Sequence, residues 1–290
     1  MLNALTIDVE EYFHPTEVQS TISQSDWDGL PSRVESQVER ILATTENLKV
    51  KATFFVLGWV AERHPCVVRA IHAAGHEIGC HSYWHRLVYD LSPEEFRRDT
   101  QRAVAAIQDA CGATPRVYRA PSYSITSRSL WALDILVEEG FTHDSSIFPV
   151  SHDRYGIPGF ERHARRMETP SGAILEVPVA TVQVGKTGVV PVGGGGYLRL
   201  LPYRYTAAGI RRVNRDEKQP ACIYFHPWEL DPDQPRLPLK PIARLRTYTG
   251  LRGMSKKLDY LLRDFQFGSL SEVYPVASGE LKPFEHAVAG

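Results

Sequence analysis

Short runs rich in β-branched and aromatic residues alternate with segments whose apolar positions recur every three to four residues. The strand candidates are ALTIDV (4–9), ATFFVLG (52–58), HEIGC (76–80), RVYRA (116–120), FTHDSS (141–146), ILEVPVATV (174–182) and ACIYFH (221–226). Between the first two, residues 31–48 put Val34, Val38, Ile41, Leu42 and Leu48 on one helical face. A second helix is expected through Val60, Val67, Ile71 and Ala74, closed by Gly75. The third has a clear start, with Ser92 as N-cap, Pro93 at the first helical position and Glu95 completing a capping box. Phe96, Ala103, Val104 and Ile107 then face inward, and Gly112 follows the end. A fourth helix around Leu130, Leu133, Leu136 and Val137 stops at Gly140, and a last one carries Leu258, Leu261, Leu262 and Phe265. Seven strands separated by helices predict a parallel α/β barrel or a doubly wound sheet.

Residues 148–173 and 184–200 break this rhythm, the second with four consecutive glycines at 193–196. A glycine run ahead of a helix can hold phosphate at the helix N-terminus. Without the P-loop Lys and Ser/Thr, a flexible loop is the expectation. There is no internal repeat and no long linker in the 290 residues, so a single domain is expected.

Composition narrows the function classes. A hydrophobic content of 43% supports a sizeable core, and the net charge of -1 gives no electrostatic reason to expect nucleic acid or an anionic membrane as partner. Short basic runs such as RHARR, GIRRVNR and SKK read as solvated surface. The four cysteines form no CxxC, which suits free thiols in a reducing compartment. The N-terminus lacks the pattern of a signal peptide, and no apolar run reaches the roughly 18 residues of a membrane span. A cytoplasmic location is the expectation, and the oligomeric state is left open.

Polar residues that look out of place cluster where the strands end. Asp8 and Glu10 close the first strand, and His81 and His85 follow the third. Arg119 ends the fourth, Asp144 the fifth and His226 the seventh. In a parallel barrel those ends share the face on which chemistry is built. HSYWH spaces His81 and His85 four apart, as two imidazoles on one side of a helical turn, a spacing that suits a divalent metal. In TIDVEEYF, strand alternation sends Asp8 and Glu10 to one side, and a metal ligand beside a general base relieves their repulsion. Solvated acid at a loop entrance suits Glu11. In RAPSYS, Arg119 can hold a carboxylate, and amides near Ser122 can meet an oxyanion. For Asp144, N-capping is a rival reading; for His226, a structural histidine is.

In this order the motifs resemble the polysaccharide deacetylase family, carbohydrate esterase family 4 or the NodB-homology domain. TIDVE looks like its first motif, HSYWH its second, RAPS its third, DSS its fourth and FHP its fifth, over about residues 1–230. ATFFVLGWVAERHP, GGGGYLRLLPY and HPWELDPDQPR are similar to a subgroup linked to bacterial exopolysaccharide and exosortase (PEP-CTERM) gene clusters.

The resemblance implies a deformed (β/α)7-type barrel forming a single catalytic domain, with a C-terminal extension over 231–290 packed on it. It implies metal-dependent hydrolysis of N- or O-acetyl groups on an acetylated oligo- or polysaccharide. The metal would be Zn2+, with Co2+, Ni2+ or Mn2+ as alternatives. By position, Asp8 would be the base, and His81 and His85 metal ligands. Arg119 would orient Asp8, His226 would be the acid, and Asp144 would tune His226. Ser122, Tyr123 and Trp228 would line the substrate site, and Tyr12, Tyr83 and Trp84 are further candidates for stacking on sugar.

Two departures stand out. The family often has adjacent acids in its first motif, the second binding metal, and here Val9 occupies that place. Glu10 is the substitute by alternation, with Glu11 as the other option. Ser122 stands where an aromatic is common, with Tyr123 next to it. Two other functions remain in view. One is hydrolysis of a small non-sugar amide. The other is an inactive carbohydrate-binding relative, which would be expected to lack Asp8 or His226.

Overall fold

The first strand, β1 (Leu2–Val9), shows how the sheet is built. Its odd positions, Leu5, Ile7 and Val9, enter the large core beneath the helices, while Ala4 joins a second cluster on the opposite side. That period-2 division puts Thr6 and Asp8 on the concave side with Ala4. The structure is a computed structural model and describes residues 1–152, 154–185 and 188–276.

After β1 come α1 (Val34–Leu48), β2 (Thr53–Val56), α2 (Gly58–Arg63), α3 (Pro65–Ala73) and β3 (Glu77–Cys80). Next are α4 (Pro93–Cys111), β4 (Val117–Tyr118), α5 (Trp131–Glu138) and β5 (His143–Asp144). The hairpins β6 (Arg165–Thr169) with β7 (Gly172–Glu176), and β8 (Thr181–Val184) with β9 (Gly188–Pro191), follow. The chain ends through α6 (Gly196–Leu200), α7 (Tyr203–Arg215), β10 (Cys222–Phe225), α8 (Pro241–Tyr248), α9 (Leu251–Asp264), β11 (Gln266–Gly268) and α10 (Leu270–Val273).

The main sheet runs β10-β1-β2-β3-β4-β5-β7 in parallel and ends on antiparallel β6, while β11 pairs with the start of β1. The sheet curls but its two edges do not pair among the described residues, which leaves a half-barrel. This is the deformed barrel that the family resemblance implied, where strand and helix order alone left a barrel or a doubly wound sheet open. Because β11 lies in the sheet beside β1, the described residues after 230 are part of the same architecture.

Each expected strand forms, and the pattern departs from expectation at particular places. The run 174–182 is divided, since β7 ends at Glu176 and β8 begins at Thr181. β6, of sequence RRMET, has no apolar alternation to reveal it; backbone pairing with β7 defines it. The helix expected through Val60 and Ala74 is two, because Pro65 has no N–H to continue α2 and instead starts α3.

The glycine run is also not a free loop. Gly195 N donates to Tyr224 O, Tyr224 N donates to Gly193 O, and Gly194 bridges to Tyr224 along the outer edge of β10. Gly194 has φ of +120°, and a Cβ there would lie 1.9 Å from Tyr224 O. Only glycine allows so close an approach.

The α4 cap forms as expected: Ser92 Oγ accepts from Glu95 N, Glu95 Oε2 accepts from Ser92 N, and Gly112 adopts φ of +77°. All four cysteines are free, and no helix among the described residues is long and apolar enough to cross a membrane.

Candidate active site

Where the strands end, the concave side of the sheet carries a cluster of charged residues. Arg119, the residue after β4, is fully buried there over the Phe55 ring, 4.3 Å from its centroid. Its Nη1 donates to Asp8 Oδ1 and to Thr6 Oγ1, each at 2.7 Å, and its Nε donates to Ser145 O. Burial opposes the guanidinium charge, but Asp8 together with Tyr123 and Cys222 outweighs it and keeps the arginine protonated. Asp8 is thus held by one oxygen, and its Oδ2 faces His226 Nε2 at 3.8 Å.

His81 and His85 do meet, but not on a helical turn. Residues 81–85 form a bend in which Ser82 and His85 take φ of +62° and +53°. Asp99, projecting from α4, accepts from the amides of Tyr83 (2.7 Å) and Trp84 (3.2 Å), and Ser82 Oγ accepts from His85 N. The His81 Nδ1–H donates to Arg119 O at 2.8 Å, which leaves its Nε2 lone pair free. Burial lowers the His81 pKa to about 4, so the ring is neutral, as a ligand must be.

Glu10 completes the group. One ligand atom from each of Glu10, His81 and His85 lies within 4.8 Å of the others, and all three residues are buried. His85 Nε2 is 2.8 Å from Glu10 Oε2, yet that oxygen accepts no aligned hydrogen bond. A carboxylate oxygen and two imidazoles brought this close suit a shared divalent cation. Burial would raise the Glu10 pKa; its interactions with His85 and His226 overcome that and hold it well below the usual carboxylate range. Glu11 points elsewhere. Its carboxylate accepts from Ser32 Oγ and from the amides of Arg33 and Val34, capping α1, whose own N-cap residue offers no side-chain bond.

His226 follows β10 and stacks on Trp228, with ring centroids 5.1 Å apart. Its Nε2 lies 3.3 Å from Glu10 Oε1, to which Trp228 Nε1 also donates at 3.2 Å. Its Nδ1 meets Glu229 Oε2 at 3.1 Å. Burial alone would lower the His226 pKa, but Glu10, Glu229 and Asp8 together raise it to about 9. Asp144 is not the partner that sequence reading placed there. It bonds Ser146 Oγ and shares a buried carboxyl pair with Glu176, where burial raises both acids. The short β5 carries Asp144 toward β7, and the His226 role falls to a residue three positions along its own turn.

Glu229 had a sequence signal. His226, Pro227 and Glu229 repeat the capping-box pattern of Ser92, Pro93 and Glu95, and the structure forms that box. Arg199, which donates to Glu229 Oε1 at 2.9 Å from within the irregular 184–200 segment, had none.

These groups line a cavity of about 300 Å3, to which Ser122, Tyr123, Tyr224 and Trp228 also contribute. Ser122 and Tyr123 both take positive φ, near 51° and 53°, and Ser122 Oγ bonds Thr16. Tyr12 and Tyr83 are buried in the core and take no part in the cavity, nor does Trp84.

Residues 25–136 match the family model described as Polysaccharide deacetylase, and residues 145–275 that described as Domain of unknown function (DUF3473). A peptidoglycan-N-acetylglucosamine deacetylase of Bacillus cereus is 33% identical over 96 residues, 33% of this chain and 35% of that protein. A chitooligosaccharide deacetylase of a Bradyrhizobium species is 37% identical over 89 residues, 30% of this chain and 38% of that protein. The chain therefore spans well under half the length of these curated relatives.

Among solved structures, a Mycobacterium smegmatis protein assigned to the polysaccharide deacetylases superposes with a TM-score of 0.70 at 20% identity, covering 99% of this chain and 93% of that one. The Bc1960 peptidoglycan N-acetylglucosamine deacetylase gives 0.51 at 18% identity, covering 94% and 88%. These structural likenesses speak for the fold. The family model and the curated relatives show a likeness to polysaccharide deacetylases over part of this chain.

Proposed function

We propose that the protein is a metal-dependent deacetylase that hydrolyses N- or O-acetyl groups of an oligo- or polysaccharide, an exopolysaccharide or its precursor. The observation that carries this reading is the convergence of Glu10, His81 and His85 beside Asp8 and His226. The printed activities of the peptidoglycan and chitooligosaccharide relatives support an acetylated sugar as substrate.

Glu10, His81 and His85 would hold the ion. A divalent metal such as zinc would supply polarisation of the acyl carbonyl and a water of lowered pKa, near 7 for zinc. Asp8, steadied on one oxygen by Arg119, takes the proton of the attacking water through the other. The water oxygen bonds to the acyl carbon as the C–N or C–O bond breaks. His226 gives the Nε2 proton to the leaving nitrogen or oxygen, and Glu229 keeps the ring oriented through Nδ1. Burial of Asp8, Glu10 and Arg119 strengthens these interactions by excluding water.

The test is acetate release from a panel of acetylated oligosaccharides by the wild-type protein and Asp8→Asn. Release by the wild type and its loss in the variant support the proposal. Release from small non-sugar amides alone would replace it with the amidase reading. Tight sugar binding with no release would favour a binding protein.

A further inference from the structure

Beside the cavity, the surface changes character. From Gln234 to Leu258 the chain carries seven Lys and Arg and no Asp or Glu. The whole chain has a net charge of -1, so the remainder is acidic and the average conceals this basic stretch. α8 lies within it and is barely seated on the protein, with Thr247 its one buried residue.

Ile242 and Leu245 are 68% and 63% exposed, the highest values among the large hydrophobics of the described residues. Three positions apart, they are neighbours on one helix face. Leu200, 45% exposed, lies on the adjoining α6, which Arg199 ties to α8 by donating to Arg246 O. Among the described residues, Lys240, Arg244 and Arg252 have no carboxylate partner, whereas Arg63, Arg97 and Arg263 elsewhere on the surface do. Arg246 and Thr247 also line the cavity, so this patch adjoins its mouth.

We propose that α8 and its flanks dock the protein on an anionic lipid surface. Ile242 and Leu245 enter the boundary between headgroups and acyl chains, and Lys240, Arg244 and Arg252 face lipid phosphates. An exposed aliphatic pair amid unpaired cations is the pattern of an interfacial helix. An acidic polysaccharide would match the charge but offers no apolar layer for the pair. A second copy of this chain would set like charges against each other. Docking in this way turns the cavity mouth toward the bilayer and favours substrate presented there, a consequence that rests on the proposed deacetylase function; the docking itself does not.

The experiment is flotation of the full chain with vesicles of phosphatidylglycerol in phosphatidylcholine, against vesicles of phosphatidylcholine alone, over a salt series. Binding is expected only to the anionic vesicles, weakening as salt rises. Lys240→Gln with Arg244→Gln should lower partitioning about 25-fold at low salt, roughly fivefold per basic residue. Ile242→Ser with Leu245→Ser should lower it about tenfold or more, since two aliphatic side chains lose a partly apolar environment. Circular dichroism and thermal unfolding should be unchanged, because these side chains are exposed.

Failure to float with anionic vesicles at low salt would overturn the proposal. So would equal binding to both vesicles, or full binding without the aliphatic pair. Self-association abolished by Ile242→Ser with Leu245→Ser would assign the patch to a second copy, and preferential capture by an acidic polysaccharide would assign it to polymer. Flotation by a protein that releases no acetate would leave docking standing while the deacetylase reading fails.

Discussion

Replacing Glu229 by glutamine isolates its share, beside Glu10 and Asp8, in holding the proton on His226. The Glu229 carboxylate bonds Nδ1 of that ring at 3.1 Å through one oxygen and accepts from Arg199 through the other. In Glu229→Gln the amide oxygen can still accept from Nδ1–H, so the ring keeps its place while the charge is lost. A hydrogen bond to a charged group is worth about 1.5 kcal/mol more than a neutral one, or about one pH unit. The His226 midpoint, held at about 9 in the wild type, should fall by that amount.

The pKa is raised on folding, from 6.5 to about 9, so its contribution to stability is full below 6.5 and is lost as pH rises through about 9. That contribution is on the order of 3 kcal/mol. In the variant the window should end about one unit lower. Arg199 would meanwhile lose its ionic partner, costing about 3 kcal/mol, while keeping its bonds to the carbonyls of Arg246 and Thr249.

The assay follows the His226 ring proton by NMR across pH in metal-free protein, with the alkaline limb of the acetate-release profile as a second readout. Activity should fall as pH rises through the His226 midpoint, and the limb should move down in Glu229→Gln. An unmoved midpoint, or an equal shift in Asp144→Asn, would refute the assignment of Glu229 over Asp144.

Two other outcomes follow from the same geometry. Asp8→Asn should lower turnover about 10²- to 10⁴-fold, the usual worth of a general base, with metal content unchanged; inductively coupled plasma mass spectrometry beside the activity assay checks both halves. Gly194→Ala should destabilise the protein by about 2 to 4 kcal/mol in urea unfolding, because its positive φ and its contact with Tyr224 O both exclude a Cβ.

The fold was legible where local pattern and tertiary role agree. Parallel strands buried on both sides read as continuous apolar runs, so β1, β2 and β10 stand out, while β6 is invisible because its partner rather than its side chains defines it. The placement of Asp8 and Glu10 on one side followed from strand period alone. Glu10 and Glu11 differ by one position, and that single step separates the candidate ligand group from a helix cap.

The spacing of His81 and His85 suggested the right proximity through the wrong local structure, since the bend depends on Asp99 from α4 and not on helical geometry. Asp144 was misplaced because the depth of β5 relative to β7 is a tertiary property. The basic patch escaped because net charge averages over the chain.

The central claim is that Glu10, His81 and His85 bind the metal on which deacetylation depends. The most direct test titrates zinc into chelator-treated protein while following acetate release from an acetylated oligosaccharide. The account predicts activity that rises to a break at about one equivalent in the wild type and in Glu11→Gln, and no comparable rise in Glu10→Gln. Full activity in the metal-free protein, or a Glu10→Gln variant that titrates like the wild type, would contradict it.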